Sequence, residues 1–335
     1  MPANCQGFRK PEGVSHESGR SRAPYTRCQD AFDRCRPRRG AKSGASCMFR
    51  GVQQVQGSID EPVVFIGSGE ASVLERKTLI HSIRRNSRGP VRIVIFNGTH
   101  NALEVEGAEP VPAPLSLRAK YLNLTEFSNY RFLVPQLSGA ARRAIYLDSD
   151  MICLGDIRDL FDAPMDGADF VAKPFADVHG RPRWALSVSL FDCTRCRFDL
   201  EHYIDEIGRG LYAYNDLHQM TPEFLAHHAF RIGRLDERWN MFDRFDGGTK
   251  LIHYTNLHTQ PWRVRAHRFG AVWFRYFREA QEAGLVTEQD IELAIRRGCA
   301  RADLCAGNTI GLGAVARNAL GDAKASLRGL FSRST

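Results

Sequence analysis

Residues 144–156 read Ala144-Ile145-Tyr146-Leu147-Asp148-Ser149-Asp150-Met151-Ile152-Cys153-Leu154-Gly155-Asp156, and the fold turns on this stretch. An apolar run, Ala144–Leu147, stops abruptly at two aspartates and then resumes at once. A buried strand that delivers two carboxylates at its carboxyl end explains the pattern, and open α/β sheets bind their ligands at that end. Side chains alternate along a strand with period two, so Asp148 and Asp150 are expected on one side. Their oxygens can then converge on a hard cation such as Mg²⁺ or Mn²⁺. The competing reading is an acidic turn that merely closes a core strand. The flanking chain has to decide.

Upstream, Val63–Ile66 is a continuous apolar run followed by Gly67-Ser68-Gly69, which reads as a first buried strand and a turn. Val73, Leu74, Ile80 and Ile83 then recur at helical spacing through residues 71–86, and Val91–Phe96 gives a second strand. This strand–helix–strand unit predicts a doubly wound α/β fold with a mixed, mostly parallel sheet flanked by helices. Ser72 occupies the third glycine position of a G-x-G-x-x-G fingerprint, so no nicotinamide site is read here. Residues 101–118, rich in Pro and acidic side chains, are expected to form a loop. Thr125 is expected to cap a helix through Glu126–Leu137, with Ser138-Gly139 ending it.

Downstream, Asp156 is placed to cap the next helix, and Phe170–Lys173 and Leu186–Phe191 read as further strands. Short helices are expected over Ile204–Tyr214 and Pro222–His228, and a strand over Lys250–Tyr254. Two amphipathic helices close the domain, near 268–283 and 288–297. Thr287 and Asp290 resemble a capping box at the start of the second.

The chain has 335 residues, enough for a large core, with 43% hydrophobic and 25% charged residues as in ordinary globular proteins. Its formal net charge of +8 is concentrated towards the two ends. Residues 1–58, exemplified by Arg34-Cys35-Arg36-Pro37-Arg38-Arg39-Gly40, lack apolar periodicity and read as a disordered basic extension. No aromatic residues interleave with the arginines, so nucleic acid is not an expected partner. Residues 301–335 form a basic tail whose Leu312, Val315, Leu320, Leu327 and Phe331 fall at helical spacing. It suits either an anionic inner-membrane surface or packing on a protein. Nine cysteines make no regular framework, and Cys193 and Cys196 form a C-x-x-C with no second pair at zinc spacing. Without a recognisable signal peptide or membrane span, a reducing cytoplasm is the expected compartment.

His253, at another strand end, makes a third ligand available, and an imidazole beside two carboxylates suits Mn²⁺ better than Mg²⁺. Taken alone, His253 reads more readily as a satisfied core histidine, and only the resemblance below turns it into a ligand. Arg131, Arg263 and Arg265 are available to neutralise a diphosphate.

Three segments in order now carry a resemblance: Tyr130-Arg131, then Tyr146-Leu147-Asp148-Ser149-Asp150, then His253-Tyr254 leading to Pro261-Trp262. They resemble glycosyltransferase family 8, of the GT-A (Rossmann-like) fold. Arg131-Phe132-Leu133-Val134-Pro135, Trp239-Asn240 and His253-Tyr254-Thr255-Asn256 place the likeness in a bacterial branch. It covers roughly residues 62–300, which makes 59–300 the expected catalytic domain.

The resemblance implies a retaining, metal-dependent hexosyltransferase that moves a sugar from a nucleotide-sugar donor, usually UDP-linked, to a glycan or lipid-linked acceptor. It implies Mn²⁺ (or Mg²⁺) held by Asp148, Asp150 and His253. It implies donor contacts from Gly67, Ser68, Glu70, Arg131, Asp148 and Arg263, and a reacting face near Asp216 and Gln219. A role in cell-surface glycan synthesis follows. No carboxylate near Asp216 is a secure nucleophile, so front-face departure and double displacement both stay open.

Three departures bear on the donor. Ser68-Gly69-Glu70 stand where the family carries an Asp for the nucleoside. Ala185-Leu186-Ser187 replace its Asn-x-Gly. Gln260 replaces the phosphate-binding lysine, leaving that charge to Arg263. Two other readings compete. A haloacid-dehalogenase-type phosphatase would need Thr or Val where Ile152 stands, and a nucleotide-sugar-binding protein of the same fold would bind without turnover.

Overall fold

The computed structural model describes residues 61–139 and 141–304. The expected basic extension, residues 1–58, and the periodic tail from Leu312 lie outside the described residues. An eight-stranded sheet forms the centre, in the order β4-β3-β2-β1-β5-β8-β7-β9. Its strands are β1 (Val63–Ser68), β2 (Arg92–Asn97), β3 (Ala102–Val105), β4 (Val111–Pro112), β5 (Arg143–Asp148), β7 (Phe170–Ala176), β8 (Pro182–Asp192) and β9 (Ile232–Arg234). Only β3 and β8 run against the other six, which makes the sheet mixed and mostly parallel, as the sequence predicts. A small second sheet has the order β10-β11-β6, from Met241–Phe242, Leu251–His253 and Met151–Cys153.

All six residues of β1 are buried, because both faces of the central sheet are covered. Val63 and Phe65 join Ala144 and Tyr146 of β5 in one apolar layer, while Val64 and Ile66 join Ile145 and Leu147 in the other. The second layer is closed by the helix Val73–Asn86, through Leu79, Ile80 and Ile83. A third cluster packs Trp262, Trp273 and Phe277 beneath the helix Gly270–Glu282 and against Ile152 and Ile252 of the small sheet.

Two expectations need correcting. Residues 101–118 are not a plain loop, because β3 and β4 form a short antiparallel edge beyond β2. Their runs are too brief for alternation to stand out, and Pro112 is tolerated because it lies on the edge strand. Residues 126–137 are not one α-helix either. A 3₁₀ segment, Ser128–Leu133, passes into a single α-turn, Val134–Leu137. Pro135 has no N–H to give the carbonyl of Arg131, so an i to i−4 ladder cannot run through this point. Other local signals hold: Asp156 accepts from Arg158 N at the head of Ile157–Phe161, and Thr287 with Asp290 forms the capping box of Glu288–Arg296.

Candidate active site

The carboxyl end of β5 carries the site because the register of the sheet puts it there. Asp148 lies beside Gly67 at the end of β1, and Ser68 lies beside Asn97 at the end of β2. Tyr146 and Asp148, two apart on the strand, share a face, and the Tyr146 hydroxyl donates to Asp148 Oδ1 at 2.8 Å. Gly67 is needed for that arrangement: a Cβ there would sit 2.2 Å from the Tyr146 hydroxyl and 2.6 Å from the Phe127 ring.

After Asp148 the chain bends through Ser149 and Asp150 into β6, which pairs antiparallel with β11 so that Met151 faces His253. Tyr254 N donates to the Asp150 carbonyl at 3.0 Å, and His253 Nε2 consequently lies 3.1 Å from Asp150 Oδ1. The other ring nitrogen, Nδ1, lies 3.1 Å from Asn240 Oδ1, and Asn240 is itself fixed by donating to Ser187 Oγ at 3.0 Å. A buried partner on Nδ1 leaves Nε2 as the atom aimed at Asp150. Burial opposes charge on His253, yet Asp150 and then Asp148 hold its pKa above the ordinary value.

Arg131 Nη2 donates to Asp148 Oδ1 at 3.0 Å, and its guanidinium lies 5.0 Å over the Tyr146 ring. Burial favours the neutral form of Arg131, but Asp148 together with Tyr146 and Tyr214 outweighs it and raises its pKa. Burial also pushes the Asp148 carboxyl up. Asp150 adds to that push, while Arg131 works against it. Arg131 Nε is buried without a hydrogen-bond acceptor, a polar atom to spare beside the two aspartates. Gln260 Nε2 donates to Asp150 Oδ2 at 3.3 Å, and Gln260 Oε1 accepts from Arg263 Nε at 3.2 Å. Gln260 therefore ties Arg263 to Asp150.

These groups open on a cavity of about 470 Å³, within the ordinary range of small-molecule sites. Arg131, Asp148, Asp150, Gln219 and Arg263 all line it. His253 stands behind Asp150, with only 6% of its surface exposed.

Five sequence-derived candidates lie elsewhere. Gly67 and Ser68 are packed beneath the cavity rather than in its wall, and Ser68 is fully buried. Glu70 accepts from Asn97 Nδ2 at 3.1 Å and pairs with Arg297 at 3.5 Å. Asp216 spends its carboxylate on the turn that starts the helix Tyr214–His218, accepting from Ala213 N at 2.8 Å and Thr221 Oγ1 at 3.0 Å. It sits at the third position of that helix, where a carboxylate caps the helix start. Arg265 pairs with Asp303 at 2.8 Å and is largely exposed.

Sequence reasoning passed over Glu75, Trp184, Tyr214 and His218, which also line the cavity. Burial raises the Glu75 carboxyl to about 8. Burial, with Arg131 nearby, keeps His218 well below the ordinary histidine value and therefore neutral at pH 7. His218 Nε2 lies 2.8 Å from Asn129 Oδ1, and its ring stacks on Tyr214 at 4.2 Å. The one signal for this pair was their i, i+4 spacing on a short helix.

No family model matches the chain. It is similar to a probable galacturonosyltransferase 12 of Arabidopsis thaliana, 20% identical over 252 residues, which cover 63% of this chain and 46% of that protein. The chain thus spans about half the length of the curated relative it matches. Among solved structures, it is similar to the bifunctional glycosyltransferase WbbM in its apo form, with 16% identity and a TM-score of 0.49 over 72% of this chain and 52% of that one. It is also similar to the galactosyltransferase LgtC in complex with donor and acceptor sugar analogues, with 13% identity and a TM-score of 0.47 over 69% of this chain and 99% of that one.

Proposed function

We propose that the chain is a glycosyltransferase of the family 8 kind that moves a sugar, with retention, from a UDP-linked donor to a glycan or lipid-linked acceptor. The observation that carries this reading is the juxtaposition of Asp148, Asp150 and His253 with a buried Arg131 at one wall of the cavity. The distant similarity to a probable galacturonosyltransferase points the same way.

The donor set fits a divalent cation: two hard carboxylates and one imidazole whose second nitrogen is already anchored on Asn240. Asp148, Asp150 and His253 would hold Mn²⁺, which when bound supplies Lewis-acid stabilisation of the departing nucleoside diphosphate. With Asp148 engaged on the cation, the Arg131 guanidinium would be available to phosphate oxygens. Arg131 is suited to that part because its planar fork matches an oxyanion in two-point contact. Arg263, steered by Gln260, supplies the second cation. Trp184 and Tyr214, on other parts of the wall, offer rings for a sugar face. Gln219, with its amide at the wall, is left to position the sugar. Since Asp216 is engaged in a helix start, a front-face course, with no enzyme carboxylate as nucleophile, fits this chain better than double displacement.

A screen of nucleotide sugars with and without Mn²⁺, comparing the wild type with Asp150→Asn and His253→Ala, tests the reading. Metal-dependent release of UDP by the wild type, lost in both variants, is expected. Equal turnover in all three proteins sinks the metal assignment, and affinity without turnover moves the chain to the nucleotide-sugar-binding reading.

A further inference from the structure

A second group of potential ligands lies outside the cavity wall. His202 and Glu206 are four residues apart on the helix Leu200–Gly208 and therefore share a face. His228 comes from the turn that follows the short helix Pro222–Leu225. One ligand atom from each of the three lies within 4.8 Å of the other two. His202 Nε2 is 3.3 Å from Glu206 Oε1, and His228 Nε2 is hydrogen-bonded to Glu206 Oε2. Ligands at about 2.0–2.1 Å around a tetrahedral Zn²⁺ stand roughly 3.3 Å from one another; the His202–Glu206 spacing already matches this, and His228 would have to draw back from its direct hydrogen bond to Glu206 to admit the ion.

The surroundings hold these atoms in place. Tyr212 donates its hydroxyl to Glu206 Oε2 at 2.8 Å, the kind of outer contact that orients a ligating carboxylate. The His228 ring is held 4.6 Å from Tyr203 and 5.0 Å from Phe224. Among the described residues, Arg209 is the guanidinium paired with Glu206, 3.8 Å from its Oε1 and largely exposed. The His202 side chain is 49% exposed, which leaves a solvent-side position for a fourth, water ligand.

We propose that His202, Glu206 and His228 form a Zn²⁺ site of the two-histidine, one-carboxylate type, separate from the Asp148–Asp150 centre. Its occupancy ties the helix Leu200–Gly208 to residues 212–228, the segment that contributes Tyr214, His218 and Gln219 to the cavity wall. A His-x₃-Glu pair on one helix and a third ligand on a neighbouring turn is a combination that soft thiolates are not needed to complete.

The test uses the full chain, stripped of metal, in an Asp150→Asn background that silences the cavity. Zn²⁺ is titrated in competition with a chromogenic chelator, with and without His202→Gln or His228→Asn. One tight Zn²⁺ equivalent is expected in the background protein. Either substitution should weaken it by about tenfold or more, the range seen when the surroundings of metal ligands are altered. Co²⁺ loaded at one equivalent should give a tetrahedral d–d spectrum without thiolate charge transfer, and that spectrum should be lost in His202→Gln. Because His202 is half exposed, this variant keeps its fold, and circular dichroism checks that. Zn²⁺ should also slow amide exchange across residues 212–228 in the background protein but not in His202→Gln. No tight equivalent, unchanged affinity in both variants, or a purely thiolate spectrum each overturns the proposal.

Discussion

Two histidine–carboxylate groups in one molecule are built to opposite plans. At the end of β5, each aspartate has its own partners: Asp148 takes Arg131 and Tyr146, while Asp150 takes His253 and Gln260. At Glu206 a single carboxylate is shared by two imidazoles and a phenol, with ring packing around them. The first faces a cavity and carries spare cationic capacity in Arg131 and Arg263. The second faces no part of that cavity wall. The proposed diphosphate site keeps its counter-charges separated, whereas the proposed cation site closes around one carboxylate.

Asp150→Asn should break the comparison most strongly. It is expected to cut Mn²⁺-dependent turnover by about 10²–10³-fold or more, the scale for losing an electrostatic stabiliser, as read in steady-state UDP release. Differential scanning calorimetry should show the folded state retained.

Glu75 comes next, because a third acid beside the aspartates is tolerated only while it stays protonated. Its pKa rises from 4.5 to about 8 on folding, so the folded chain holds the proton across that window. Its contribution is fully present below about 4.5 and is lost as pH rises through about 8. Glu75→Gln should leave stability unchanged at pH 4 and raise it by roughly 5 kcal/mol at pH 9, measured by denaturant unfolding. No pH-dependent difference between the two proteins would contradict a buried, neutral Glu75.

Arg131→Lys sharpens the electrostatic half of the contrast. A point charge replaces the guanidinium whose Nη2 donates to Asp148 and which lies over Tyr146, and kcat/KM for the donor should fall by about 10²-fold. The smallest effect is expected from Thr287→Ala, which lies in neither group. It removes the cap of the helix Glu288–Arg296 and should cost about 1 kcal/mol in thermal denaturation while leaving UDP release unchanged.

Much of the frame was legible in residue order. The uninterrupted apolar runs at β1 and β5 read as strands covered on both faces, with Asp148 at the exit of one. Asp156, Thr287 and Asp290 announced their helix starts because a cap is a contact between near neighbours. Legibility failed where local preference yielded to longer-range pairing: β3 and β4 are short edge strands held by β2, and Pro135 broke a helix that the flanking pattern suggested. It failed again at Asp216, where a carboxylate in the right neighbourhood turned out to face its own helix start rather than the cavity. A residue's orientation on a five-residue helix is too weakly encoded by period to be read ahead of the fold.

By itself the sequence determined the α/β class and the delivery of two carboxylates to the carboxyl end of a central strand. Both follow from local burial pattern and strand alternation. Only the tertiary structure decided that His253 sits beside Asp150, that Gln260 tethers Arg263, and that His202, Glu206 and His228 converge. The register of β6 against β11 and the packing of a helix against a distant turn are long-range pairings, and no spacing in the chain specifies them.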